Sequence, residues 1–199
     1  EIVISSKEDL INNICFGKNY GLLSIGFPYK VNKLILERFS LCLNLHPTRL
    51  PKYRGPTSGA YVILNEEEFS GSTVHIMTEE LDRGDIIIQS KVALSKFDTV
   101  KSMQRKVYSS EPKLLLKSID LILNGFSPIP QIESEASEYP KLRTPDDSQI
   151  DPSKSLLELF NNIRASDHEE FPAHFFLNGE KVCIRLWRPN KKNDELDSI

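Results

Sequence analysis

The 199-residue sequence is short of cysteine, of surplus positive charge and of long apolar runs, and each shortage removes a class of protein. Three cysteines, Cys15, Cys42 and Cys183, stand far apart with no C-x-x-C spacing. That argues against a disulfide framework or a cysteine metal site. They read instead as small buried hydrophobes in a reducing compartment, the cytoplasm. No apolar run approaches the roughly 20 residues of a membrane-crossing helix, and no basic stretch precedes an apolar core as in a secretory leader, so no membrane association is expected. Lys and Arg number 25 against 28 Asp and Glu, a net charge of −3. This balance speaks against a nucleic-acid footprint made by bulk basicity. His168 and His174 lack metal-ligand spacing, and no metal is expected. There is no initiator Met. Glu1-Ile2-Val3-Ile4-Ser5 opens at once as an apolar strand, as though entered from something earlier, and the chain is expected to be part of a longer protein.

What is present suits a globular protein: 39% hydrophobic and 27% charged residues, one domain with an appendage or two small domains. After the first strand, Ser6 suits the cap of a helix from about Lys7 to Gly17. Gly21 to Ile25 reads as a second buried strand, Val31 to Phe39 as a helix and Leu41 to Leu45 as a third strand. This β-α-β-α-β order predicts an α/β fold with parallel strands. Thr57 or Ser58 suits the cap of a helix through Leu64, with Asn65 to Glu68 as a solvated connection. Ser72 to Met77 and the long run Asp85 to Leu94 read as an antiparallel hairpin, which makes the sheet mixed. Asp98 is the expected cap of a long helix ending at Gly125, kinked or split by Pro112. The core thus spans 1–126, a linker 127–140 and a small C-terminal α+β unit 141–190, with a frayed tail 191–199. That unit reads as a helix from Ser153 to Ala165 and a hairpin turning at Asn178-Gly179.

Chemistry concentrates at two strand ends. Asn44 and His46 are two apart, so an extended backbone turns them to one face. Asp82 ends a different segment, Glu80-Leu81-Asp82-Arg83-Gly84. An amide and a protonated imidazole together stabilise an oxyanion growing on a carbonyl. A neighbouring carboxylate favours the protonated imidazole and accepts a proton from an attacking amine. Neither stretch holds a Ser or Cys nucleophile beside His46, so the set describes acyl transfer to a substrate amine without a covalent enzyme intermediate. His75, on the strand leading to Asp82, is a weaker candidate.

The run Asn44-Leu45-His46-Pro47-Thr48-Arg49-Leu50-Pro51-Lys52-Tyr53-Arg54-Gly55-Pro56 resembles the signature of the 10-formyltetrahydrofolate-dependent formyltransferases. So does Gly71 to Met77 followed by Leu81-Asp82-Arg83-Gly84-Asp85-Ile86. The family pattern is Asn-x-His-Pro-Ser-Leu-Leu-Pro-x-x-(Arg or Lys)-Gly, later Asp-x-Gly, and the departures are Thr48 and Arg49. The resemblance covers about residues 20 to 130. It implies a Rossmann-like, mostly parallel mixed sheet whose first strands precede Glu1 and are absent. It further implies an N-formyltransferase that uses 10-formyltetrahydrofolate as co-substrate. Asn44, His46 and Asp82 would be the catalytic residues. Gly26, Phe27, Pro28 and Tyr29, with Met77, Thr78, Glu79 and Leu81, would border the pterin.

The acceptor is read from the second unit. Arg143-x-Pro145-x-Asp147-Ser148-x-Ile150-Asp151, Ile163-Arg164-Ala165 and Phe171-Pro172-Ala173-x-Phe175 resemble the C-terminal segment of sugar N-formyltransferases. Initiator-tRNA formyltransferases share parts of it but carry a longer basic barrel, whereas about 35 residues follow Arg164 here. The expected acceptor is therefore a nucleotide-linked amino sugar such as a dTDP-4-amino-4,6-dideoxyhexose, which suits polysaccharide biosynthesis. A methionyl-tRNA, a hydroxylated ornithine and an inactive ligand-binding fragment are the alternatives. Arg49, Lys52, Tyr53 and Arg54 are candidate contacts to the acceptor diphosphate, its base or the folate tail, and Arg143 and Arg164 candidate partners of Asp147 or Asp151. The final hairpin is a candidate surface for a homodimer.

Overall fold

The computed structural model describes residues 20–27, 29–56 and 58–191, together with Ser6 and Glu8. The expected first strand, the first helix, Cys15, Pro28, Thr57 and residues 192–199 lie outside the described residues. The elements are β1 (Gly21–Ile25), α1 (Lys33–Leu36), β2 (Leu41–His46), α2 (Ser58–Leu64), β3 (Phe69–Ser70), β4 (Thr73–Ile76), β5 (Ile86–Gln89) and β6 (Val92–Ala93). The long helix α3 (Val100–Leu123) follows, then α4 (Leu156–Ala165), β7 (Ala173–Leu177) and β8 (Glu180–Ile184). Among the described residues no helix is long and apolar enough to cross a membrane.

The main sheet has the order β1-β2-β4-β5. It is mixed, as expected. The parallel part among the described residues is the single β1–β2 pairing, and β4 runs antiparallel to both β2 and β5. β2 lies inside the sheet and is covered on both faces, which explains its near-continuous apolar run. Leu43 and Leu45 pack with Val74, Ile87 and Leu114 on one face. Cys42, on the other, packs with Val31, Ile35 and Phe39. Strand alternation then carries Asn44 and His46 along the Cys42 face toward the strand end.

Several boundaries differ from expectation, each for a local reason. The helix expected over Val31 to Phe39 shrinks to Lys33–Leu36, started by Asn32 accepting from the Ile35 amide at 3.0 Å. The strand expected over Asp85 to Leu94 is divided: its second part, β6, leaves the main sheet to pair with β3, a strand the acidic run before it had hidden. Thr99, rather than Asp98, caps α3 in a reciprocal pair with Ser102. Asp98 is instead buried, accepting from Ser102 Oγ at 2.7 Å and Lys106 Nζ at 2.6 Å. Helix α3 runs through Pro112 as one element. Ser109 and Ser110 hydroxyls donate to the Lys106 and Val107 carbonyls in the turn before it. Cys183 is exposed rather than buried.

The segment read as a linker is strapped to the core. Ile129 pairs with Ile86 and Glu138 with Arg54. The Tyr139 ring lies 3.9 Å from that of Tyr61 and 5.7 Å from that of Tyr53. The C-terminal unit has its own core of Ile150, Leu159, Ile163 and Ala173, and Asn178 and Gly179 both take positive φ in the hairpin turn. Arg143 donates to the Asp147 carbonyl at 2.9 Å. Arg164 does not meet the expected Asp147 or Asp151. It donates to the carbonyls of Asp98 at 2.9 Å and Ile63 at 3.2 Å, joining α4 to the start of α3 and the end of α2. Replacing Arg164 with Leu removes the donor to the Asp98 carbonyl and leaves the Ile63 carbonyl with the Glu66 amide alone. The expected loss is about 2–4 kcal/mol of unfolding free energy, read from urea denaturation; an unchanged midpoint would show that these bonds contribute nothing net.

Candidate active site

At the end of β2 the chain enters a loop that the neighbouring strands hold rigidly. Thr73 Oγ1 donates to the Thr48 carbonyl at 2.7 Å and accepts from the Leu50 amide at 3.1 Å. Gln89 Nε2 donates to the Leu50 carbonyl at 2.6 Å and to Thr73 Oγ1 at 2.9 Å. The Leu50–Pro51 peptide is cis, and Tyr53 takes a left-handed φ of 62°. That turn aims the Tyr53 carbonyl inward, where it accepts from His46 Nε2 at 2.9 Å and from Thr48 Oγ1 at 3.1 Å. Gly55 has φ 114°, and a Cβ there would lie 2.1 Å from the Tyr139 carbonyl oxygen. The glycine lets the loop close and turns its amide toward Asp82.

The Asp82 carboxylate is the meeting point. One oxygen accepts from the Gly55 amide at 2.9 Å and lies 3.5 Å from His46 Nδ1. The other lies 3.5 Å from Asn44 Nδ2 and 3.7 Å from His75 Nε2. Asp82 itself has a left-handed φ of 56°. Behind it the backbone runs so close to β4 that a Cβ on Gly84 would fall 1.9 Å from the Ile76 carbonyl. Asn44 and His46 at the end of β2 and Asp82 in the loop after β4 are thus brought together.

His75 belongs to the same cluster. It sits directly opposite Asn44 across the β2–β4 ladder. Its Nδ1 lies 2.8 Å from the Ile76 carbonyl, an acceptor, so Nδ1 carries the proton. Its Nε2 then accepts from Asn44 Nδ2 at 3.2 Å. Burial pushes the imidazole down to about 4, so it is neutral near pH 7. The two histidines therefore differ in kind. His75 is a fixed acceptor that orients the Asn44 amide. His46 has Nε2–H on a carbonyl and turns Nδ1 to the carboxylate. Register, not motif, places His75: once β2 and β4 are paired at Asn44 and His75, both must share a face.

A cleft of about 70 Å³, open on one side, ends at Asn44, His75 and Asp82. Phe27, Tyr29, Met77, Thr78, Glu79 and Leu81 line it, joined by Ser24, Lys30, Val31 and Glu80. Gly26 belongs to the same turn, with φ 60°, but not to the lining. A second cavity, of about 210 Å³, has Pro47, Pro56, Met103, Tyr108, Arg143 and Phe171 among its walls.

Burial corrects two of the expected contacts on the basic loop, Tyr53 and Arg54. The Tyr53 ring is buried against Tyr139 and its hydroxyl donates to Glu67 at 2.8 Å, so it cannot stack on a base. Arg54 is 2% exposed and faces Gln131, Glu133 and Glu138 rather than a ligand. Lys52 forms an ion pair with Glu67 at 3.1 Å. Arg49 is half-buried, and its Nε has no hydrogen-bond partner.

One prediction follows from the two imidazoles. Between pH 6.5 and about 4 the unfolded chain binds a proton at His75 that the folded chain refuses. The contribution of neutral His75 is therefore complete above pH 6.5 and lost as pH falls through about 4. Urea midpoints at pH 7 and pH 5 are expected to differ less in His75→Gln than in the parent; parallel shifts would remove His75 from the acid limb.

Comparison with known proteins places the chain in a family. Residues 30–119 match the formyl transferase family. A methionyl-tRNA formyltransferase from Streptococcus pyogenes serotype M12 (strain MGAS2096) is 32% identical over 183 residues, covering 91% of this chain. The chain spans 58% of that relative's length. Among solved structures, a 4-N formyltransferase from Francisella tularensis is 30% identical with a TM-score of 0.77, covering 92% of this chain and 76% of that one. An N-formyltransferase from Helicobacter canadensis, in complex with folinic acid and dTDP-3-aminofucose, is 27% identical with a TM-score of 0.68 over 80% of this chain and 59% of that one. With the cluster at Asp82 and these likenesses in sequence and fold, the chain belongs to the formyltransferase family.

Proposed function

We propose that this chain carries the catalytic centre for transfer of a formyl group from 10-formyltetrahydrofolate to the amine of a nucleotide-linked amino sugar. The observation that carries this reading is the convergence of Asn44 and His46 on the Asp82 carboxylate, with Asn44 and Asp82 in the wall of one cleft and His46 buried behind them. The cleft suits the flat ring of a folate: Phe27, Tyr29, Val31, Met77 and Leu81 supply apolar walls, and Tyr29 and Leu81 are about half exposed at its sides. The folate enters as the formyl donor.

In this reading the acceptor amine attacks the formyl carbon, a new C–N bond forms and the carbonyl electron pair moves to oxygen. Asn44 Nδ2 keeps one hydrogen on His75 and turns the other, now only 3.5 Å from Asp82, to the oxyanion. His46 donates from Nδ1, because Nε2 is fixed on the Tyr53 carbonyl. Asp82 takes the proton that the amine loses. The oxygen's electron pair then re-forms the carbonyl, the bond from the formyl carbon to the folate nitrogen breaks, and that nitrogen takes the proton held by Asp82.

The amino-sugar acceptor is supported by the Helicobacter relative's dTDP-3-aminofucose complex and by the net charge of −3. The second cavity, with Pro47 beside His46 and Arg143 in its wall, is the proposed acceptor side. Such an enzyme would serve polysaccharide biosynthesis in the cytoplasm. The Streptococcus relative favours a second reading, with methionyl-tRNA as acceptor.

Two measurements test this. Formation of tetrahydrofolate is expected with a dTDP-4-amino-4,6-dideoxyhexose and not with methionyl-tRNA; the reverse preference would replace the acceptor, and folate binding without any turnover would mark an inactive binding fragment. Asp82→Asn and Asn44→Ala are each expected to lower kcat about a hundredfold or more while KM changes little. Full turnover in Asp82→Asn would remove Asp82 from the mechanism.

A further inference from the structure

Beyond the cluster itself, a run of half-buried polar contacts leads from Arg54 through Gln131 to the backbone around Asp82. Gln131 lies in the segment that reads in sequence as a linker. Arg54 Nε and Nη2 donate to Gln131 Oε1 at 3.2 and 2.7 Å. The same guanidinium donates from Nη1 and Nη2 to the Glu133 carboxylate at 3.0 and 2.7 Å. A guanidinium only donates, so it decides which way the Gln131 amide faces. Flipping the amide would set donors against donors. With Oε1 held by Arg54, Nε2 points the other way and donates to two carbonyls, those of Asp82 at 2.9 Å and Gly84 at 2.7 Å.

Those carbonyls bracket the tightest part of the loop. Asp82 has φ 56°, a left-handed conformation that is unfavourable for a residue with a side chain. Such a conformation persists only where surrounding contacts over-determine it. The two bonds from Gln131 are contacts of that kind. Arg83, between the bracketed carbonyls, reaches the same pair of carboxylates as Arg54: Glu133 at 3.0 Å, and Glu138. The strap over 131–138 therefore holds the loop at its main chain and at Arg83.

We infer that Gln131, with its amide set by Arg54, is a positioning residue: it clamps the backbone on both sides of Arg83 and so holds the Asp82 carboxylate against the Gly55 amide, His46 and Asn44. The kinetic part of this inference rests on the formyl-transfer reading; the structural part does not.

The test compares the full chain with Gln131→Met, which loses both donors and the acceptor, and Gln131→Glu. The glutamate keeps an acceptor for Arg54 but turns an oxygen toward the Asp82 and Gly84 carbonyls. Both variants are expected to lower kcat by about a hundredfold, the size of effect that a displaced catalytic group produces, with KM for either substrate changed less than about threefold. Hydrogen exchange of the Gly55 amide, which reports its bond to Asp82 without any substrate, is expected to quicken about tenfold or more. The Val74 amide inside the sheet should keep its protection. Unchanged kcat, a raised KM with kcat intact, or Gly55 exchange as slow as in the parent would each overturn the inference. Should Gln131→Met fail to fold, Gln131→Glu carries the same comparison. If the parent itself transfers no formyl group, that reading fails alone, and the Gly55 exchange still decides whether Gln131 holds Asp82.

Discussion

The Asp82 carboxylate closes the end of β2 onto the loop after β4, and most of the local structure can be traced to that closure. Its oxygens meet a backbone amide, two imidazoles and a side-chain amide in a nearly dry site. A buried carboxylate is costly unless hydrogen bonds surround it. The Gly55 amide at 2.9 Å supplies the shortest of them, and it is available because Gly55 takes a φ that few other residues accept. The cis peptide, the left-handed Tyr53 and the Thr73–Gln89 contacts all shape the path by which Gly55 reaches that position. The basic look of the loop in sequence is therefore misleading. Arg54 and Lys52 answer carboxylates of the protein, and the loop's main role is to present backbone groups.

The two histidines illustrate how environment separates identical side chains. His75 faces a carbonyl and an amide donor under full burial, which fixes it as the neutral form. His46 faces a carbonyl and a carboxylate. One orients the Asn44 amide, while the other is held between the Tyr53 carbonyl and the Asp82 carboxylate.

What the sequence made legible was local. Strand β2, the alternation of Asn44 and His46 and the Asn178-Gly179 turn all depend on neighbours a few residues apart, whereas the caps at Asn32, Thr99 and Ser155 were not singled out. The signature run and the Asp82 segment were legible as a resemblance, and their convergence in space agrees with it. His75 was undervalued because its role comes from a cross-strand register that one strand cannot announce. Gln131 was invisible because a Pro-containing polar stretch gives no hint that its main chain pairs with Ile86 and Arg54. The basic loop was misjudged because charge pattern does not say which carboxylates will fold over it. Pro112 was overweighted: the helix continues past it, with two serine hydroxyls answering carbonyls in the preceding turn.

The bond from His46 to position 53 has one more implication. Its acceptor is a main-chain carbonyl, so the imidazole is held by the path of the loop and not by the identity of any side chain. A site oriented in this way is insulated from sequence drift: position 53 can change its side chain, within what its backbone conformation tolerates, and the ring keeps its bearing. The surroundings of the cluster can then change while the ring's orientation does not.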